Sequence, residues 1–377
     1  MASLTRRPNG QWRARYRDPA GREHAKHFSR KIDAQRWLDE ATASLVTGQY
    51  VAPDAGRVTV AEYAEAWRAG QVHRPSTRAH VETMLRRHVY PTFGDRPVAS
   101  VRPSEVQAWV TGLAGHLSPA TVAVAHGLLS SVFRAAVRDR RVAANPCEGT
   151  KLPRTHRAPV DPLPTEAVLA LADAVPPYWR ALVVLLAGTG LRQGEALGLT
   201  RDRVDFLRRQ LLVDRQAVTV PGRAPFLGPP KTRASVRTVP LPGSVVDVLA
   251  AHVAAYGVPA DGLLWADGDG SPMRRTAFSA QVWRPAVTRA GLPAGTRCHD
   301  LRHFYASLLI RHGESVKTVQ ARLGHATAAE TLDTYSHLWP DSDDRTRDAV
   351  DSVIGSVADC VRTAEGGDAR FRRSGAG

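Results

Sequence analysis

The feature that most restricts how this chain can fold is the proline-rich, basic stretch Lys151 to Pro164 (KLPRTHRAPVDPLP), which has no apolar period. Proline fixes φ and removes a backbone donor, so such a segment cannot be a helix interior or a central strand. It reads as an extended tether between domains. A chain interrupted there cannot bury its apolar residues around one core. Its 377 residues also exceed what one ordinary core supports, so two or three domains follow.

The patterning differs in kind along the chain. In residues 1–50, Trp12, Ala14 and Tyr16 alternate with Arg13, Arg15 and Arg17, which predicts a strand with arginines on one face. Asp18 to Gly21 supplies a turn, and Glu23 to Phe28 forms a returning strand. Ile32, Trp37, Leu38, Ala41 and Leu45 recur at helical spacing and predict a helix over the apolar face. Residues 51–57 read as a short Pro/Gly linker. Residues 57–148 then read as all-helical, with four helices starting behind Thr59, behind Ser76, near Ser104 and behind Ser118-Pro119. Residues 160–358 read as a mixed α+β domain. Its helices start at Thr165 and behind Ser244 and Thr276, an apolar helix runs through Leu182 to Leu186, and strands lie around Phe206 to Val213 and Val236 to Leu241. Residues 359–377 read as a disordered tail. The fold class is therefore a small β-sheet-plus-helix domain, an all-α domain and a mixed α+β domain.

Lys plus Arg number 51 against 36 Asp plus Glu, a formal charge of +15. Such a surplus suits a polyanion, since each cation laid on a phosphate releases counterions. Charge alone does not choose among DNA, RNA and a membrane surface. Cys147, Cys298 and Cys360 are scattered, which speaks against a disulfide framework or a zinc site and for a reducing, cytoplasmic setting. No apolar run approaches the length that spans a bilayer, and no signal peptide is apparent, so no membrane partner is expected.

Four segments of the third domain carry unusual polar residues. In Thr189-Gly190-Leu191-Arg192-Gln193-Gly194-Glu195, Arg192 opens a helix whose N-terminus favours anions, and Glu195 can orient its guanidinium. In Gly228 to Arg233, Lys231 sits at the tip of a hairpin between strands. His299-Asp300-Leu301-Arg302-His303 stacks His299 and Arg302 on one helical face. It suits a phosphate better than a metal, because no carboxylate or thiolate set accompanies it. In Leu323-Gly324-His325, glycine closes a helix. A capping box of Thr327 and Glu330 opens another, which carries Tyr335 two turns later. Taken singly, these are a solvated Arg–Glu pair, a solvated loop lysine, a basic patch and a half-buried tyrosine.

Taken together, in the order Arg, Lys, His-x-x-Arg, His, Tyr, they resemble the tyrosine recombinase (phage integrase) family. TGLRQGEALGL, PPKTRASVRTVPL, HDLRHFYAS and LGHATAAETLDTYSH match its boxes across residues 160 to 340. The two upstream regions resemble, less sharply, that family's arm-type DNA-binding domain and its helical core-binding (SAM-like) domain. The resemblance implies that Tyr335 attacks a DNA phosphodiester, forming a 3′-phosphotyrosyl bond and freeing a 5′-hydroxyl. Arg192, Arg302 and His325 then bind the phosphate, Lys231 protonates the leaving oxygen and His299 assists proton transfer at the tyrosine. Glu195 and His303 support these groups, and Arg13, Arg15 and Arg17 contact DNA. It implies no cofactor and no ATP, because the covalent bond stores the phosphodiester's energy, and no metal, because two guanidiniums neutralise the phosphate.

The implied partners are double-stranded DNA at attachment sites and three further copies of the chain, assembled as a tetramer on DNA. An excisionase and a host DNA-bending protein stay open, as does the choice between exchanging Arg347 to Ile354 with a neighbour and packing it at home. A chromosome-dimer or transposon recombinase shares the chemistry but generally lacks the strand-rich first domain. A non-catalytic DNA-binding regulator would not need the full set of polar residues.

Overall fold

The computed structural model describes residues 2–19, 21–47, 50–155, 159–259, 262–339 and 346–354. The chain divides into two compact units, Met1–Arg157 and Ala158–Gly377, with the division inside the proline-rich tether.

The first unit opens with an antiparallel sheet of β1 (Ser3–Arg6), β2 (Trp12–Arg17) and β3 (Glu23–Phe28), with β2 central. Alternation along β2 buries Ala14 and Tyr16 and leaves Arg15 and Arg17 exposed. Helix α1 (Lys31–Val46) covers the apolar face with Ala34, Trp37, Leu38, Ala41 and Leu45. Ile32, expected in that stripe, is exposed instead. It lies two residues before Ala34, about 200° round the helix. Residues 51–57, expected as a plain linker, follow a buried Tyr50 whose hydroxyl meets that of Tyr16 at 3.1 Å, and they include a short 3₁₀ turn at Ala55–Arg57.

Four helical segments follow. They are α2 (Val60–Ala69), α3 (Pro75–Met84) running on through a π turn into α4 (Tyr90–Phe93), α5 (Pro103–Ala114) and α6 (Pro119–Arg138). Thr59 and Glu62 cap α2 reciprocally, as Ser118 caps α6. Helices α3 and α5 start earlier than Ser76 and Ser104 suggest, because Pro75 and Pro103 take the first helical position, where a missing N–H costs nothing. The π turn at Leu85–Val89 precedes Pro91, and a second one, at Ser279–Trp283, precedes Pro285. A widened turn accommodates the absent donor and the ring of a proline inside a helix. Against the expectation from sequence, α6 is long and apolar enough to cross a membrane. Its stripe of Val122, Ala125, Leu129, Val132, Phe133 and Ala136 forms the centre of the helical core.

In the second unit, α7 (Thr165–Ala174), α8 (Pro177–Thr189) and the short α9 (Gln193–Leu197) lead into strands β4 (Val204–Asp205) and β5 (Gln210–Val213). Phe206 to Arg209, expected as strand, is the turn between them: Asp205 Oδ1 accepts the Arg208 N–H, and Arg209 has φ of 51°. A hairpin of β6 (Gln216–Val218) and β7 (Phe226–Gly228) follows, then β8 (Arg237–Pro240), which pairs with β5. Lys231 thus lies in the connection from β7 to β8, not at a hairpin tip. The remaining elements are α10 (Gly243–Tyr256), α11 (Arg275–Phe278), α12 (Arg284–Arg289), α13 (Asp300–Arg311), α14 (Val316–Leu323) and α15 (Ala328–Tyr335). Helices α10 and α11 each begin one residue before the Ser244 and Thr276 signals. The main core gathers Leu171, Leu182, Leu185, Leu249 and Trp265. A smaller one, of Tyr305, Ile310, Val319 and Leu323, encloses Tyr335. Residues 346–354 are helical, with Val350, Val353 and Ile354 exposed. The expected disordered tail, 359–377, lies outside the described residues.

Candidate active site

The site is built around the ends of two helices. Helix α8 stops at Gly190, which takes the left-handed conformation (φ 63°), and α14 stops at Gly324 in the same way (φ 65°). A side chain at Gly190 would strike the ring of Tyr305 at 2.4 Å, so both conformation and space call for glycine. The carbonyls freed at these ends carry the negative pole of each helix and accept from guanidiniums.

Three consecutive carbonyls at the end of α14 serve three arginines. That of Arg322 accepts from Arg237 Nε (2.8 Å), that of Leu323 from Arg302 Nη2 (2.7 Å) and that of Gly324 from Arg192 Nη2 (3.2 Å). Arg302 also donates Nη1 to the Gly190 carbonyl at 2.7 Å, and only 2% of it is exposed. Burial, followed by the charge of Arg192, pushes its pKa down to about 9. Arg192 is the N-cap of α9. Its Nη1 reaches Glu195 Oε1 at 2.9 Å and Ser235 Oγ at 3.3 Å, while its backbone N–H meets Glu195 Oε2 at 3.0 Å. Glu195 is buried, and Arg237 Nη2 sits 2.9 Å from its Oε2. Burial opposes its ionisation. The charge and hydrogen bond of Arg237, then the N–H and charge of Arg192, outweigh burial and hold its pKa below the usual carboxylate value.

Tyr335 closes α15 and is 1% exposed. Its hydroxyl meets His303 Nδ1 at 2.8 Å. Burial raises the phenol to about 12, against a smaller lowering by the charge of Arg302. Burial likewise lowers His303, which is neutral near pH 7. His299, expected to assist the tyrosine, is the exposed N-cap of α13, with its ring edge-on to that of His303 at 4.8 Å. The protein packed against its other side, then the charges of His303, Arg302 and Arg192, lower it to about 4. His325 is buried with Nδ1 2.8 Å from Thr331 Oγ1. Desolvation, then the charge of Arg302, lowers it to about 4. Lys231 is exposed; its loop reaches the cluster through Thr232 Oγ1, 2.9 Å from the Ser235 hydroxyl that also meets Arg192.

The structure thus brings Arg192, Glu195, Arg302, His303, His325 and Tyr335 together around the two helix ends, with Lys231 and His299 at the exposed margin. Sequence reasoning missed Arg237, Ser235 and Thr331. A signal for Arg237 existed: period 2 puts it on the same strand face as buried Val239, where an apolar residue is the norm. Among the described residues, no group of three His, Cys, Asp or Glu side chains could hold a metal ion.

In the first unit, Arg13 and Arg15 share Glu23, at 3.3 and 3.6 Å, and Arg15 Nε donates to Ser3 Oγ at 2.6 Å. Arg17 is exposed on the same strand face.

Comparison with known proteins gives the family of the chain. The phage integrase family profile matches residues 163–341, the phage integrase central domain residues 56–152 and the phage integrase N-terminal domain residues 3–47. A relative described as a putative prophage phiRv2 integrase of Mycobacterium tuberculosis is 30% identical over 343 residues, covering 87% of this chain and 89% of its own. The chain belongs to the phage integrase family of tyrosine recombinases. The fold is also similar to that of the Tn1549 transposon integrase (residues 82–397) in complex with circular intermediate DNA. That similarity has a TM-score of 0.67 at 23% identity over 78% of this chain and 100% of that one. A lambda integrase tetramer bound to a Holliday junction matches with a TM-score of 0.57 at 20% identity, over 87% of this chain and 96% of that one.

Proposed function

We propose that this chain is a site-specific integrase that cleaves and rejoins DNA through Tyr335, inserting a phage or other mobile element into a chromosome. The observation that carries the reading is the 2.8 Å contact between the Tyr335 hydroxyl and His303 Nδ1, beside three arginines held by one helix end. The tyrosine oxygen attacks the scissile phosphorus and its proton passes to His303 Nδ1. A 3′-phosphotyrosyl bond forms as the phosphorus–5′-oxygen bond breaks, and the departing 5′-oxygen takes a proton from Lys231. Negative charge on the non-bridging oxygens is met by Arg192, Arg302 and His325. Preorganised donors of this kind each contribute on the order of 3 kcal/mol to a transition state. Arg13, Arg15 and Arg17 contact the DNA backbone, Arg13 and Arg15 less strongly because Glu23 partly neutralises them.

Lambda integrase has been seen as a tetramer on a Holliday junction, and this chain assembles in the same way on its attachment sites. The match of residues 3–47 to the phage integrase N-terminal domain favours an integrase over recombinases that lack this domain.

The test mixes the protein with DNA flanking its gene in EDTA and stops the reaction with SDS. Wild type is expected to form a covalent protein–DNA adduct. Tyr335→Phe should lose it while binding DNA within a few-fold of wild type. Strand joining by Tyr335→Phe would overturn the assignment, and binding without any wild-type adduct would favour a regulator.

A further inference from the structure

We infer that Arg237 is a positioning residue of the DNA-cleaving site. It holds Glu195 and the end of α14 so that Arg192 and Arg302 face the phosphate with an unneutralised positive charge. The inference rests on the reading of this site as DNA-cleaving.

Arg237 spends its guanidinium inside the protein: Nε on the Arg322 carbonyl (2.8 Å), Nη1 on the Ser235 carbonyl (2.9 Å) and Nη2 on Glu195 Oε2 (2.9 Å), with 6% of the side chain exposed. With its three donors shared between Glu195 and two backbone carbonyls, it acts through these partners. Glu195 alone with Arg192 would form a neutral pair, and a phosphate would have to compete with the carboxylate for that guanidinium. Arg237 gives Glu195 a second cation and occupies Oε2, which leaves Oε1 for Arg192 Nη1 and fixes the carboxylate's rotamer. Three guanidiniums against one carboxylate leave a surplus of two positive charges at the site. The same side chain also braces the turn whose next two carbonyls orient Arg302 and Arg192 and which continues into His325.

The experiment measures single-turnover adduct formation at saturating DNA, with Kd and Tm determined alongside. Arg237→Gln, which removes the charge, is expected to slow cleavage by about 10- to 100-fold while Kd changes by less than about 3-fold. A methylphosphonate at the scissile position removes charge from the phosphate, so the defect should shrink on that substrate. Glu195→Gln combined with Arg237→Gln restores the surplus of two charges and should recover part of the rate. A defect equal on both substrates, or none, overturns the inference. Should Arg237→Gln fail to fold, Arg237→Lys keeps the charge but not the three-way hydrogen bonding; the inference then predicts an intermediate rate, and a wild-type rate overturns it. Should wild type form no adduct, the DNA-cleaving reading fails. The positioning role is then judged by the NMR Nε–H signal of Arg192, assigned with Arg192→Lys: broadening in Arg237→Gln supports the role, and an unchanged signal overturns it.

Discussion

The attack proposed for Tyr335 requires it to lose a proton in surroundings that resist its loss. With its pKa raised to about 12, forming a free phenolate at neutral pH would cost roughly 7 kcal/mol, at 1.36 kcal/mol per unit. Attack concerted with transfer to a neighbouring acceptor avoids most of that cost. His303 Nδ1 is the atom in reach, at 2.8 Å, and it can accept the proton in the tautomer whose Nε2 carries the ring's N–H. Burial lowers His303, so the ring is neutral at pH 7 and gains a proton only below the ordinary histidine range. Once protonated it cannot accept, so the cleavage rate falls as pH drops through that lowered value. His303→Gln should slow single-turnover cleavage by about 10²- to 10³-fold and abolish the acid limb of the pH–rate profile. His299→Gln should cost less and leave the limb in place. The reverse ranking would make exposed His299 the proton acceptor.

One helix terminus organises most of the cluster. Gly324 turns the chain so that the carbonyls of residues 322, 323 and 324 each face a different guanidinium. A methyl group there would lie 3.0 Å from Arg237 Nη1 and 3.2 Å from the Ala234 carbonyl, at a φ of 65°. Gly324→Ala should therefore cost about 1–2 kcal/mol, seen as a fall in Tm of a few degrees. Cleavage should fall by more than about 10-fold, beyond what the lost stability explains. A lowered Tm with an unaltered cleavage rate would mean that the turn serves stability alone. The stop at Gly324 was legible in the sequence, as was Arg192 at a helix start, because glycine and capping signals are local. Which carbonyl serves which arginine was not legible. Arg302 and Gly190 are 112 residues apart, Arg192 and Gly324 are 132 apart, and such pairings arise from packing. The identity of the histidine against Tyr335 was hidden for the same reason. His299 and His303 are one helical turn apart, and only the docking of α15 separates them.

At the scale of the whole chain, the tether was the most legible feature, since four prolines among basic residues permit no regular structure. What it joins are units with separate cores, one around Leu129 and Phe133 and the other around Leu182 and Trp265. Each end of the tether is fastened to its own unit. The Lys151 N–H and carbonyl exchange hydrogen bonds with the Gln107 side chain, and the Val160 carbonyl contacts His337 Nε2 at 2.8 Å. Fragments 1–157 and 158–377 should therefore fold separately and melt at the midpoints they show within the intact chain. Their binding to DNA should differ sharply from that of the whole. A short tether makes the second contact intramolecular, at an effective concentration near millimolar, so the intact chain should bind its site about 10²- to 10⁴-fold tighter than either fragment. Because the phosphate contacts of the two units add, its log K should also fall more steeply with log salt than that of either fragment. Titration of labelled attachment-site DNA with the intact chain, each fragment and their equimolar mixture measures both quantities. If the mixture bound as tightly as the intact chain, the tether would contribute nothing to affinity, and the two units would not grip one duplex together.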